Sequence, residues 1–218
     1  EARRLKPLAV VDTLDRSMER ELDLRLEAAA ISEMAENTKS DEGFRVPAVD
    51  WQRTARNVLT TEWIDGTPIA DKAALEAAGI SRQAVAKRLM DTYLRQVFED
   101  GFFHADPHPG NVVVMGTPEE PVLGLLDLGL VGHLSGPLRD KALELMVAAV
   151  REDFDAVADA LYALGRPTRK VDMQVFRNDV STLGRKYVGR KLGDIQASAI
   201  VRDLIWGAVK HGIDMPAD

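Results

Sequence analysis

Three side chains in the middle of the chain have the types and spacing needed to handle phosphate. Asp106 and Asn111 stand five residues apart in His104-Ala105-Asp106-Pro107-His108-Pro109-Gly110-Asn111, and Asp127 heads the tripeptide Asp127-Leu128-Gly129. Phosphoryl transfer asks a protein mainly for positioning and charge neutralisation, so its sites are built from carboxylates and amides on short loops. In that chemistry Asp106 accepts or orients the proton of an attacking hydroxyl, while Asn111 and Asp127 hold Mg²⁺ against the phosphates of ATP. The five-residue offset between carboxylate and amide is that of a kinase catalytic loop. Pro107 and Pro109 stiffen the loop, and Gly129 is expected to let the chain turn sharply after the metal ligand.

Two other readings compete for these residues. Asp, Pro, Gly and Asn dominate ordinary turns for backbone reasons, and a lone Asp-Pro would mean no more than that. His104, Asp106 and His108 also alternate like the ligands of a hydrolytic metal site. The prolines speak against the second reading, because a proline-interrupted segment makes no regular ladder, and only His133 and His211 remain as further imidazoles. The first gives way to the combination of eight specific residues, a long helix before them and an apolar hairpin after them that ends in Asp-Leu-Gly.

The elements around the loop follow from periodicity. Leu14, Met18, Leu22, Leu26, Ala30 and Met34 recur every four residues and predict one long amphipathic helix. Arg45–Val49 and Asn57–Trp63 read as two strands around a turn, closed by Asp65-Gly66-Thr67-Pro68. A helix is expected from the N-cap Ser81 to Asp100, with Val85, Leu89, Tyr93, Val97 and Phe98 at helical spacing and Gly101 as its C-cap. Val112–Met115 and Val122–Leu126 form a hairpin across Gly116-Thr117-Pro118. Helices near Leu138–Arg151, Phe154–Leu164, Asp172–Tyr187 and Ala197–Lys210 complete the chain.

Composition narrows the partners. A chain of 218 residues that is 45% hydrophobic is long enough for one or two domains with a real core. A net charge of -7 excludes nucleic acid as the main partner. The absence of cysteine excludes disulfides, thiol redox chemistry and Cys-type zinc sites. No apolar run reaches the length of a membrane span, and Glu1-Ala2-Arg3-Arg4 is not the start of a signal peptide, so a fragment of a longer protein is expected.

With these residues assembled, the chain resembles the UbiB/AarF (aarF-domain-containing, ABC1-type) atypical kinase family, which is linked to ubiquinone biosynthesis. The octapeptide and Asp127-Leu128-Gly129 carry the resemblance together with Glu21-Leu22-Asp23-Leu24-Arg25-Leu26-Glu27-Ala28, Val46-Pro47 and Val58-Leu59-Thr60-Thr61-Glu62-Trp63-Ile64-Asp65-Gly66. It implies an α+β, protein-kinase-like fold: a remnant of the N-lobe in residues 1–64, with a hinge at 62–66, and a mostly helical C-lobe in 65–218. It implies ATP and Mg²⁺ as cofactors, with Asp106 catalytic and Asn111 and Asp127 on the metal. Glu21 would pair with the ATP-binding lysine, Asp23 would complete the Glu-x-Asp motif, and Glu27 would join a family-specific ion pair. Backbone groups of Glu62 and Ile64 would meet adenine, and His104, His108 and Gly129 would support the loops. A solvated helix face is the plain alternative for the three acidic residues, and a strand end with a core Trp is that for the hinge.

The family's upstream Lys-x-Gly-Gln segment, Ala-rich nucleotide loop and strand lysine are missing before Glu21, with Lys6 a poor substitute beside Pro7, and no C-terminal anchor follows. The piece alone is therefore expected to be soluble and inactive, its parent sitting at the cytoplasmic face of a bacterial inner membrane. Only Leu130 to Gly136 separate Gly129 from Pro137, too short a segment for docking a peptide. The resemblance favours a lipid-linked or quinone-precursor ligand and ubiquinone-biosynthesis proteins as partners. A membrane surface is a further candidate partner, through Arg166–Lys170 and Arg185–Lys191. A small-molecule kinase of the aminoglycoside or choline type is the alternative enzyme, disfavoured by Leu126-Asp127-Leu128-Gly129. A nucleotide-binding pseudokinase scaffold is the alternative outside catalysis, disfavoured by the complete set Asp106, Asn111 and Asp127.

Overall fold

The computed structural model describes residues 22–187 and 197–215. These fall into two compact units, divided between His133 and Leu134. In the first unit, helix α1 (Leu24–Asn37) begins where Asp23 leaves helical geometry, with φ -114° and ψ 89°, and accepts a hydrogen bond from the Arg25 amide. The single helix expected through Leu14–Met34 does not run through Asp23, because a side-chain acceptor at that position starts a helix rather than continuing one, and the part expected before Leu22 lies outside the described residues. The buried face also differs from the four-residue stripe. Ala28, Ala30, Ile31 and Met34 are inside, whereas Leu22 and Leu26 are exposed.

Strand β1 is only Phe44–Arg45, and the segment after it is held by isolated bridges, Val49 to Thr61 and Ala55 to Val58, rather than by the two regular strands expected. Strand β2 (Thr67–Pro68) follows, then a short helix α2 (Lys72–Ala77) capped by Asp71, which periodicity alone did not announce. Helix α3 (Arg82–Arg95) is capped by Ser81 as expected, and its last turn widens into a π-helical turn over Gln96–Asp100. Gly101 ends it at φ 68°, a left-handed conformation that favours glycine.

Strand β3 (Phe102–His104) leads into the Asp106 loop, which closes in a 3₁₀ turn at Pro109–Asn111. The expected hairpin is present as β4 (Val112–Gly116) and β5 (Pro121–Leu125), and β6 (Val131–His133) pairs back with β3. At the hairpin turn Gly116 has φ 82°, and a Cβ there would lie 2.4 Å from the Glu120 carbonyl oxygen, so only glycine fits. The main sheet runs β1-β5-β4-β2, with β1 parallel to β5 and the other pairs antiparallel. Its core joins Ile31 and Met34 to Phe44, Leu75, Phe102, Leu123 and Leu128.

The second unit contains α4 (Gly136–Val150), α5 (Phe154–Leu164), β7 (Arg166–Pro167), α6 (Met173–Arg185), α7 (Ala197–Lys210) and β8 (Ile213–Asp214). All four helices match the sequence reading. Its core sets Phe176 and Val180 of α6 against Val157, Leu161, Ala208 and Ile213. Among the described residues, no helix is long and apolar enough to cross a membrane.

Candidate active site

The site is organised by a five-residue segment, Leu126–Leu130, pinned at both ends. At one end the Leu126 amide donates to the Asn111 carbonyl at 2.9 Å, extending the β4–β5 ladder by one step. At the other end the Ala105 amide donates to the Leu130 carbonyl at 3.0 Å, extending β3–β6. Between the pins Leu128 is fully buried in the core, so Asp127 and Gly129 on either side of it face outward. Two short ladders and one apolar anchor thus bring Asp127 next to the Asn111 end of the loop and Gly129 next to its Asp106 end.

Asp127 is held by its own loop, the Gly129 amide donating to its Oδ1 at 2.7 Å. Gly129 is not among the glycines of positive φ, so the expected freedom to turn is not what this position uses. What it provides is an amide for Asp127 and room beside it: a Cβ at Gly129 would lie 3.2 Å from Asp127 Oδ1 and 4.0 Å from Glu27 Oε2.

The Asp106 loop is a chain of local hydrogen bonds. The Asp106 amide donates to His104 Nδ1 at 3.2 Å, the His108 amide to the Asp106 carbonyl at 2.7 Å, and the Asn111 amide to the His108 carbonyl at 2.9 Å. The Gly110 amide donates to His108 Nδ1 at 3.1 Å. Both histidines therefore spend a ring nitrogen on the loop itself. This explains the His-x-Asp-x-His alternation without a hydrolytic metal. Asp106 is left with an exposed carboxylate on a backbone fixed from both sides.

Helix α1 adds a carboxylate that sequence reasoning ranked below Glu21. Glu27, in the first turn of α1, faces the Asp127 carboxylate and the Leu128 amide. Burial first, and then the Asp127 charge, pushes the Glu27 pKa upward from its ordinary value. A partly buried carboxylate beside an exposed one repels it, and the arrangement calls for a cation. Glu21 lies outside the described residues, as does Lys6. Asp23 caps α1 and pairs with Arg25 at 2.6 Å, and the Arg25 guanidinium holds its pKa down at about 2.

At the expected hinge, Glu62 pairs with Arg45, and its amide donates to the Ala48 carbonyl at 2.8 Å. That N–H is thereby occupied. Trp63 is 88% exposed, which removes the reading of a core Trp at a strand end. Ile64 lies beside the β4–β5 hairpin, 3.4 Å from where a Cβ on Gly124 would stand. The structure thus brings together Asp106, Asn111, Asp127 and Glu27, with Glu62 and Ile64 on the strip after β1. Thr92 and Gln96, buried behind the Asp106 loop, were missed. Their signal was two polar residues on the otherwise apolar stripe of α3.

Comparison with known proteins identifies the family. The ABC1 atypical kinase-like domain matches residues 2–161. The chain is similar to the probable protein kinase UbiB of Marinobacter nauticus, 35% identical over 196 residues that make up 89% of this chain and 36% of that protein. It is similar to the probable protein kinase UbiB of Vibrio atlanticus, 32% identical over 99% of this chain and 40% of that protein. The uncharacterised protein sll1770 of Synechocystis is 30% identical over 90% of this chain and 33% of its own length. Among solved structures, the Rv3197–erythromycin complex from Mycobacterium tuberculosis superimposes with a TM-score of 0.56 at 25% identity, covering 96% of this chain and 60% of that one. The chain spans only about a third to two-fifths of the length of these curated relatives. The α+β fold is kinase-like, and the chain belongs to the ABC1 atypical kinase-like domain family.

Proposed function

We propose that the parent protein is an ATP-dependent phosphotransferase or ATPase that supports isoprenoid-quinone synthesis, and that this chain supplies its catalytic and metal-binding loops. The observation that carries the reading is the doubly pinned Leu126–Leu130 segment, which sets Asp127 against Glu27 and beside the Asn111 end of the Asp106–Asn111 loop.

The donor set fits a hard divalent cation: Asp127 and Asn111 offer oxygens, and the repulsion between Asp127 and Glu27 is relieved by positive charge placed near both. Asn111 and Asp127 would hold Mg²⁺, and Glu27, rather than Glu21 alone, is a partner for a lysine ammonium from the nucleotide-binding lobe. Bound Mg²⁺ would neutralise the charge on the phosphates of ATP. Asp106, exposed on a rigid backbone, accepts the proton of the attacking hydroxyl or water at its carboxylate. The amide of Ile64 and the carbonyl of Glu62 are assigned to adenine. Residues 1–64 with the hinge at 62–66 are assigned to the N-lobe, and 65–218 to the C-lobe.

The UbiB relatives, named as probable protein kinases, support the kinase reading, and the family resemblance carries the quinone-pathway role, a quinone-precursor or other lipid-linked ligand, and a place at the inner membrane. The erythromycin complex of the solved neighbour favours a second reading, a bulky small molecule as the ligand of the same domain. The test uses the full-length parent protein. It should show Mg²⁺-dependent ATP turnover that falls by roughly 100-fold or more in Asp127→Asn. Turnover unchanged by that substitution would overturn the metal assignment.

A further inference from the structure

Behind the Asp106 loop lie two buried polar atoms that have no hydrogen-bond partner among the described residues, Thr92 Oγ1 and His104 Nε2. Thr92 is 4% exposed and His104 2%. Both residues line the same small cavity, about 20 Å³, whose other walls are mainly apolar, Phe44, Leu89, Leu123 and Leu125 among them, with Tyr93 and Gln96 beside the two orphaned atoms' residues. A buried donor or acceptor left unpaired is costly, so two of them beside one hollow, whose remaining lining is largely apolar, point to a missing shared partner.

The tautomer of His104 follows from the partners of its other nitrogen. Nδ1 stands 3.2 Å from both the Asp106 amide and the Leu130 carbonyl. An amide can only donate, and the Leu130 carbonyl already receives the Ala105 amide at 3.0 Å. The arrangement that leaves the Asp106 N–H paired has Nδ1 accept from it. The ring proton is then on Nε2, directed at the cavity side, where no protein acceptor meets it. A hollow of this volume takes one water, which accepts from Nε2–H and bonds Thr92 Oγ1. Gln96 fixes the same histidine from the backbone side, its Oε1 accepting the His104 amide at 3.2 Å.

We propose that Thr92 and Gln96 are positioning residues for the Asp106 loop, acting through the Nε2–H tautomer of His104 and one buried water. The link to catalysis rests on the reading of Asp106 as the proton acceptor; the tautomer and the water do not. The lock explains why α3 ends in a π-helical turn beginning at Gln96, since such turns redirect side chains where a site needs them. It also explains two polar residues on a buried helix face.

The test is long-range ¹H–¹⁵N correlation of ¹⁵N-histidine-labelled full-length protein at neutral pH. Wild type is expected to show His104 as the Nε2–H tautomer with a slowly exchanging ring proton. Thr92→Val, which removes the hydroxyl at nearly constant shape, is expected to shift the ring to the Nδ1–H tautomer, and Thr92→Ser to keep the wild-type signature. Turnover in Thr92→Val should fall roughly tenfold in kcat with KM for ATP unchanged. An Nδ1–H tautomer in wild type overturns the proposal without any variant being needed, and so does a Thr92→Val spectrum identical to wild type. If wild type turns over no ATP, the phosphotransfer reading fails, while the tautomer result still decides the lock.

Discussion

Glu27 and Asp127 set a like-charge problem at the centre of the site. Unrelieved, it opposes folding, because Glu27 is partly removed from water and faces a second carboxylate. Replacing Glu27 with Gln removes one charge and supplies an amide that donates to Asp127. In Mg²⁺-free buffer Glu27→Gln is therefore expected to raise Tm above wild type, and to shrink the further rise that Mg²⁺ and ATP bring. Calorimetric scans with and without Mg²⁺-ATP measure both. A Glu27→Gln protein less stable than wild type without metal would mean that the carboxylate serves the fold rather than a cation. Asp23, by contrast, is already neutralised within its own turn by Arg25, so its presence in the motif does not place it in the site.

At the scale of elements, each loop gets its shape from a short ladder or a helix end. The Asp106 loop leaves β3 and enters β4, the Asp127 loop leaves β5 and enters β6, and the cross-strand bonds of the two pairs hold the loops side by side. Helix α1 is tied to the strip after β1 by Leu24 N–H to the Arg56 carbonyl at 2.9 Å and by Trp51 Nε1–H to Ser32 Oγ at 3.3 Å. In the second unit the end of α7 is fastened to α6 by Asp179, which accepts from His211 Nε2 and Lys210 Nζ, each at 2.9 Å. His211 and Lys210, in that order, hold the Asp179 carboxyl below its ordinary value. A lowered carboxylate pKa contributes stability above the unfolded value of 3.8, and that stability is lost as pH falls through the folded value. Asp179→Asn is therefore expected to lower stability by about 0.5 kcal/mol at pH 7. The difference should fade as the pH falls below 3.8, as read from urea midpoints. A gap that persists in acid would assign the loss to packing instead. The stretch Arg166–Lys170 is also used internally, Arg169 donating to the Lys210 carbonyl at 2.5 Å, while Arg185–Lys191 lies mostly outside the described residues.

For the whole molecule, the two units have separate cores, and the candidate site belongs to the first. Phe176 is fully buried at the centre of the second core. Phe176→Ala should cost about 3–5 kcal/mol there. Hydrogen exchange is expected to accelerate over residues 154–185 while the β4–β5 hairpin keeps its protection. Equal acceleration in both would show that the two cores unfold as one.

Local chemistry was legible in the residues themselves. The hairpin, the Ser81 cap, the glycine end of α3 and the four helices of the second unit depend on nearest neighbours along the chain, so periodicity and capping rules found them. The types and offsets of Asp106, Asn111 and Asp127 likewise carry the proposed phosphoryl-transfer chemistry, because phosphate and magnesium admit few ligands. The rest depends on contacts between residues far apart. The β3–β6 pair spans three residues on each side, too short to leave a periodic signal. The break at Asp23 overrides an apolar stripe that runs through it, because a cap is decided by one hydrogen bond. Glu27 stands beside Asp127 because of how α1 packs on the core. Thr92 and Gln96 gain a meaning only once the chain has folded His104 against them. Sequence order carries residue type and local geometry; which carboxylates meet, and which polar atoms are left buried together, was settled by long-range packing.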